Sequence, residues 1–496
     1  MAIDNEATGV HHRAALTSDY GDTDITENPA GAPLLSVLAM ENILSILACC
    51  DICSVVTIAQ TCRYMHALAF SKSVWLVLVK DLQRRSMMEA DISVSDLSMQ
   101  ELIDLVKRIL SGPETWSFGL ACQVSRRVVL HPEFLDGALT GASEAKLLSD
   151  GRHVLFKNRD KLECWDVVRD TLVWRHRSAI ANYSVIRFAV QTQSAKSGDN
   201  FILLICGESR EDHGPNNHME IVALDPQLGT HVVLATAEAP AFMALYPSDP
   251  PVICNTVVAV ALDYRNEYFL YDWHSQRGFL LLVPRGSTCL ISLIPGHIIL
   301  KARSSTADAS GEYLYVITTD AAFHMHGTLA NTINRSHEFK RVSPDALPTL
   351  LTCCITTSSS CFTGGMSVHV SPARSNTYRI WVYLKSTTPF PLFEKRGAQN
   401  ALLCSYELTL SASGPPQLRE RSRTIALPAT FYRTIAYSGH MQVYDATRDA
   451  QLIVPPSVHN PGEVDLEDCE HYVDVSPYSG ALTYATAQHI VILYFK

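Results

Sequence analysis

Two hydrophobic periods divide the chain. Up to about Leu110 the apolar side chains recur at helical spacing, and from about Trp116 onward they come in short runs broken by turn residues. Val55, Ile58, Ala59 and Cys62 stand at i, i+3, i+4 and i+7, which predicts one helix face, with Asp51 placed to cap its first turn. Ser98-Met99-Gln100-Glu101 has the spacing of a capping box. Leu102, Leu105, Val106, Ile109 and Leu110 follow as a single stripe, stopped by Gly112 and Pro113.

The second part predicts strands. Trp165-Asp166 precedes Leu172-Val173-Trp174, and Leu224-Asp225 precedes Val232-Val233-Leu234. Tyr271-Asp272 precedes Phe279–Leu282, and Tyr444-Asp445 precedes Leu452-Ile453-Val454. Each reads as a β-hairpin. Asp166, Asp225, Asp272 and Asp320 are 59, 47 and 48 residues apart, a loose period close to that of one four-stranded propeller blade. The expected fold is therefore multidomain: a small all-α module, then a large all-β domain, a β-propeller of about seven blades, with a β-sandwich as the alternative. The apolar run Ile490–Phe495 would be a hazardous free edge, so it is expected to pair with Val124–Leu130 and close the domain.

Composition narrows the function. The net charge of −10 argues against a general nucleic-acid binder. Residues 1–32 carry six acids against Arg13 alone and few large apolar side chains, so they are expected to be a disordered acidic tail. No secretory signal or spanning segment is evident, which predicts a cytoplasmic or nuclear chain, no membrane partner, and reduced cysteines.

The helical stretch holds Ile43-Leu44-Ser45-Ile46-Leu47, then Asp51-Ile52, Thr61-Cys62-Arg63 and Val74-Trp75. In that order and spacing these residues resemble the F-box. The family's usual Leu-Pro opening is replaced here by Leu35-Ser36. The connector Glu101–Trp116 and the hairpin Leu162–Trp174 are similar to F-box proteins of mushroom-forming fungi. The resemblance implies an F-box at 33–80, a helical connector at 81–115 and a partner-recognition domain at 116–496. It implies that Leu35, Leu38, Ile43, Leu44, Leu47, Ile52, Val55, Ile58, Cys62, Arg63 and Trp75 bind the adaptor of an SCF ubiquitin ligase, and through it a cullin. The β domain would then hold an unidentified protein substrate.

Catalytic and metal chemistry finds little support. Cys50-Asp51-Ile52-Cys53 lacks the second ligand pair of a structural zinc site and the βαβ context of a redox motif. His324-Met325-His326 would put two imidazoles on one face of a strand, without a third ligand nearby. Phosphate-cradle and nucleophile-elbow motifs are absent. The expectation is a non-enzymatic chain without cofactor. The alternatives are a scaffold that uses F-box-like helices outside a ligase and, more remotely, a β-propeller enzyme.

Overall fold

The structure is a computed structural model. It describes residues 38–89, 92–116, 122–133, 144–180, 182–195, 198–211, 214–239, 250–262, 267–282, 289–303, 311–329, 339–357, 361–386, 401–411, 414–425, 431–445, 450–454, 462–464, 473–486 and 488–496. The acidic tail and Leu35 lie outside the described residues.

Helices α1 (Met40–Ala48), α2 (Ile52–Ala59), α3 (Arg63–Ala69), α4 (Lys72–Arg84) and α5 (Met99–Ser111) form the N-terminal module. Asp51 caps α2 by accepting from the Ser54 amide at 2.7 Å. At Ser98 and Glu101 both halves of the capping box are made. Leu102, Val106 and Ile109 of α5 join Ile43, Leu47, Val55, Trp75 and Val79 in one buried core. One sequence expectation is corrected. Cys62 does not share the face of Val55 and Ala59, because the chain breaks at Gln60–Thr61 and Cys62 becomes the exposed N-cap of α3. Helix α4 runs through residue 80 to Arg84 without interruption.

From Val124 onward the described strands form seven sheets. Blade 1 is Glu144–Leu147, His153–Asn158, Lys161–Asp166 and Thr171–Arg175. Blade 2 is Tyr183–Ala195, Gly198–Glu211, Gly214–Asp225 and Thr230–Ala239. Blade 3 is Val252–Cys254, Val257–Ala261, Glu267–Asp272 and Arg277–Leu282, with Thr328–Leu329 and Arg341–Val342 added beyond its fourth strand. Blade 4 is Leu290–Ile294, His297–Arg303, Glu312–Thr318 and Thr349–Thr356; blade 5 is Cys361–Val370, Thr377–Ser386, Ala401–Thr409 and Gln417–Ile425. Blade 6 is Phe431–Ile435, Met441–Asp445, Ala450–Val454 and Gly462–Val464. Blade 7 takes Val473–Val475, Leu482–Ala485 and Ile490–Phe495 from one end of the domain and its outer strand, Val124–Leu130, from the other.

First strands touch first strands from blade 2 through to blade 7, and the first strand of blade 1 meets those of blade 7. The inner strands thus surround a central axis, the arrangement of a β-propeller. The seam is the pairing expected from the sequence: Arg127 lies opposite Leu493, Val129 opposite Val491 and Leu130 opposite Ile490. Every residue of Ile490–Phe495 is buried, as befits a strand covered on both faces.

The Asp-marked hairpins share a turn. Asp166 accepts from the amides of Val168 and Arg169, Asp225 from Gln227 and Leu228, and Asp272 from His274. In each, the fourth residue on (Asp170, Gly229, Gln276) has positive φ, the left-handed residue a three-to-five-residue hairpin uses to rejoin its ladder. Asp320 falls two residues beyond the end of the third strand of blade 4, and there the chain forms α6 (Thr319–His326) instead of a hairpin. His324 and His326 therefore lie on a helix, not on the strand the sequence suggested. His326 is buried, with Nε2 3.1 Å from the Ala346 carbonyl, while His324 is exposed.

Candidate docking surfaces

The helical module sits on one face of the propeller. It meets the loops between first and second strands: 148–152 of blade 1, 371–376 of blade 5, 436–440 of blade 6 and 476–481 of blade 7. The Cys53 amide donates to the Ala373 carbonyl at 2.9 Å, and the Arg85 guanidinium to the Ser371 carbonyl at 2.6 Å. Arg108 donates to the Phe495 carbonyl at 2.9 Å. The Thr115 amide donates to the carbonyl of Lys496 at 3.1 Å. The Trp116 indole packs between the rings of His440 and Phe495, with centroids 5.3 and 5.5 Å away. His440 Nε2 lies 3.2 Å from the Trp116 carbonyl, and its Nδ1 lies 2.9 Å from Ser438 Oγ. Gly480 is demanded here twice: its φ is +72°, and a Cβ would fall 2.7 Å from Pro113 and 3.0 Å from Trp116.

These contacts fix the orientation of the module. Polar groups that would otherwise be orphaned at the loop tips are satisfied across the interface, so module and propeller share one hydrogen-bonded seam. The opposite face of the propeller carries the turns between second and third strands, such as Asn158–Lys161 of blade 1, and none of the module's described contacts reaches it.

The residues expected at the adaptor surface separate by burial. Ile43, Leu47, Ile52 and Val55 are buried in the module's own core. Trp75 is 3% exposed and stacks on Phe70 at 5.8 Å, so its large area is spent inside the module rather than offered to a partner. Leu44 and Ile58 are half-buried; Leu38, Cys62 and Arg63 are exposed. Among the described residues, the large apolar side chains exposed on the module are Leu38, Met40, Ile46, Tyr64 and Val77, and Ile46 is 51% exposed. Sequence reasoning placed Ile46 in the motif but did not select it, nor Met40, Tyr64 and Val77. A helix stripe reveals which side chains share a face, not which face the neighbouring helices take.

The interior offers a second feature. A cavity of about 420 Å³ lies between the first strands of blades 1, 2, 5, 6 and 7, lined by Lys146, His369 and Asp474 among others and bounded towards the module by Arg85–Glu89. Burial raises the Asp474 carboxyl above the usual range, against the pull of Lys146. Burial likewise raises Glu144, opposed by Arg187 and Lys146. Acids and bases are mixed along the wall, so it selects no charge sign.

Between blades 1 and 2, Glu220 takes a hydrogen bond from Ser178 at 2.6 Å and lies 2.7 Å from His176 Nε2. Burial pushes the Glu220 carboxyl up, and the partners His176 and Ser178 outweigh it and hold it low. Ser178 donates to the carboxylate rather than to an imidazole, so the set lacks the histidine base of a hydrolytic triad. It is a buried inter-blade polar cluster. Cys50 and Cys53 are free thiols, and among the described residues no group of three or more His, Cys, Asp or Glu is placed to hold a metal. Within the same residues no helix is long and apolar enough to cross a membrane.

No family model matches the chain, and no curated protein matches it. Solved structures do align. The β-propeller domain of Cps50 (Swd1) from Myceliophteria thermophila is 10% identical over 72% of this chain and 97% of its own, with a TM-score of 0.40. The WD40 domain of SCAP from fission yeast is 10% identical over 71% of this chain and 84% of its own, at 0.35. An α-L-arabinanase of Penicillium chrysogenum, complexed with arabinobiose, is 11% identical over 75% of this chain and 98% of its own, at 0.34. The likeness is to propellers of different activities, and the fold assignment rests on the strand topology above.

Proposed function

We propose that this chain is an F-box substrate receptor: the helical module docks on the SCF adaptor, and the propeller presents a target protein. The observation that carries the reading is the F-box-like order of residues from Ile43 to Trp75, in a helical module that keeps Met40, Ile46, Tyr64 and Val77 exposed. An exposed apolar set of this kind on a small helical unit is a natural protein contact. Transfer of ubiquitin would belong to other subunits, and this chain would act by raising the effective concentration of its target. Rigid attachment of the module to one propeller face favours the free face and the blade rims for the target.

The test is co-expression of the tagged chain with an SCF adaptor and cullin. The wild-type chain is expected to co-elute with both. Ile46→Asp is expected to lose them with an unchanged melting temperature, because the carboxylate is solvated in the free chain but desolvated in the contact. A wild-type chain that fails to bind the adaptor overturns the reading. It would leave the scaffold alternative, which the Leu35-Ser36 departure from the family's Leu-Pro opening favours.

A further inference from the structure

The outer strands of the blades are not protected alike. On blade 7 the outer strand carries Arg126 and Arg127, and on blade 5 it carries Arg419, Glu420, Arg421 and Arg423. Charges of this kind discourage a sheet edge from pairing with another chain. Blade 1 ends in a five-residue strand closed by Arg175. The outer strand of blade 4 is uncharged and has Leu350 exposed, but it lies against the outer strand of blade 5.

Blade 3 covers its edge with its own chain. Thr328–Leu329 pairs antiparallel and Arg341–Val342 parallel with Arg277–Leu282, and the Leu280 amide donates to the Lys340 carbonyl at 2.9 Å. Phe339 and Val342 are buried there, Phe339 with its ring 4.8 Å from that of Phe269.

Blade 2 is guarded less. Its outer strand, Thr230–Ala239, contains no Lys, Arg or Pro and a single acid, the exposed Glu238 next to its end, and among the described residues it pairs only with the third strand of its own blade. Val232, Val233 and Leu234 are 64, 47 and 39% exposed on it. The apolar surface continues across the inter-blade groove. Leu228, Val168 and Leu172 are exposed, and the turn holding Leu228 abuts blade 1 so closely that a Cβ on Gly229 would lie 2.6 Å from the Val173 carbonyl.

We propose that this edge of blade 2 is a docking site for an extended apolar segment of another protein, which joins the blade as a fifth strand. An outer strand turns alternate amides and carbonyls outward, and only another backbone in extended form satisfies that row in series. The same position in the next blade of this molecule is completed by added strands bearing buried Phe339 and Val342. That gives the chemistry of the occupant: a short strand with large apolar side chains to cover Val232, Val233 and Leu234. A bulge between Val233 and Ala235 breaks the strand's register on the third strand, which divides the site into two short stretches and suits a segment of a few residues rather than a long one. The site is on blade 2, whereas the described contacts of the helical module fall on blades 1, 5, 6 and 7. It therefore does not depend on the adaptor reading.

The experiment uses the full-length chain and a fluorescein-labelled synthetic peptide of alternating valine and threonine with a lysine at each end. A second peptide has the same side chains but N-methyl groups on alternate backbone nitrogens. Fluorescence anisotropy is expected to show saturable binding of the first and at least a tenfold weaker signal for the second. Val232→Lys with Val233→Lys is expected to weaken the first peptide at least tenfold while the melting temperature holds. Equal binding of both peptides would mean apolar adhesion without strand addition, and absence of binding, or binding indifferent to the two lysines, would overturn the site. A wild-type dimer in light scattering that becomes monomeric in the lysine variant would assign the edge to a second copy of this chain and overturn the proposed partner.

Discussion

At the scale of single residues, burial decides what a motif can do. Trp75 lies in the F-box-like pattern, yet its indole is enclosed against Phe70 and its Nε1 is buried without a hydrogen-bond partner among the described residues. Trp75→Ala should therefore cost about 3–5 kcal/mol of stability, as truncation of a buried aromatic does. Thermal or urea unfolding would register it, and any loss of adaptor binding would follow the unfolding of the module. An unchanged transition midpoint would show that Trp75 is not in the core. The sequence made Trp75 legible as an anchor and left the direction of anchoring open, because apolar residues read alike whether they face a partner or their own helices. Asp51 and the Ser98–Glu101 box were legible for the opposite reason: capping is a local contract between side chain and backbone, decided within four residues.

At the scale of elements, hairpins marked by Asp were readable because their turn chemistry is local, whereas the blade period was not. Asp166, Asp225 and Asp272 all end third strands, but Tyr444-Asp445 ends the second strand of blade 6. Counting it with the others shifts the phase by one strand. Between Thr318 and Thr349 the chain departs from blade 4 to build α6 and the two strands that cover blade 3. That excursion stretches the period and hides His324 and His326 in a helix too short to announce itself by periodicity. The seam was legible because an all-apolar strand has few tolerable places. Ile492 is fully buried, opposite Val128 on one side and Thr483 on the other. Ile492→Ala should cost about 2–5 kcal/mol. Deleting residues 489–496 should do more, stripping blade 7 of its third strand and releasing Val124–Leu130 from the ring. Loss of the whole β signal in one transition by circular dichroism is the expected result. A monomeric fragment with the β signal intact would show that the ring does not depend on this seam.

At the scale of the whole molecule, two histidines, the buried His440 and the half-buried His369, tie separate parts together. His440 joins blade 6 to the Trp116 carbonyl at the end of the helical module, and His369 of blade 5 places Nε2 2.7 Å from the Ile435 carbonyl of blade 6. Burial pushes both imidazoles down to about 4, and the carbonyl each one meets pulls only partly the other way; Arg379 pushes His369 further down. Both are therefore neutral in the folded chain at pH values where the unfolded chain, near 6.5, already takes up a proton. A depressed folded value means that the unfolded state binds more protons across this window. Stability is then complete above about pH 6.5 and falls as the pH drops towards 4. A shift of this size is worth on the order of 3 kcal/mol per histidine at the acid limit. Glu144 and Asp474, raised by burial, titrate in the opposing sense, so the total curve mixes signs. The difference between wild type and His440→Gln isolates one term, since glutamine retains an N–H donor for the Trp116 carbonyl and does not titrate. Urea midpoints at pH 7.5 and pH 4.5 should show a larger acid loss for wild type than for the variant. Limited proteolysis at pH 4.5 should cut the wild-type segment around Gly112–Trp116 first, because that is where protonation of His440 breaks the neutral arrangement. Equal acid losses in the two proteins would mean that His440 does not carry the pH dependence of the junction between module and propeller.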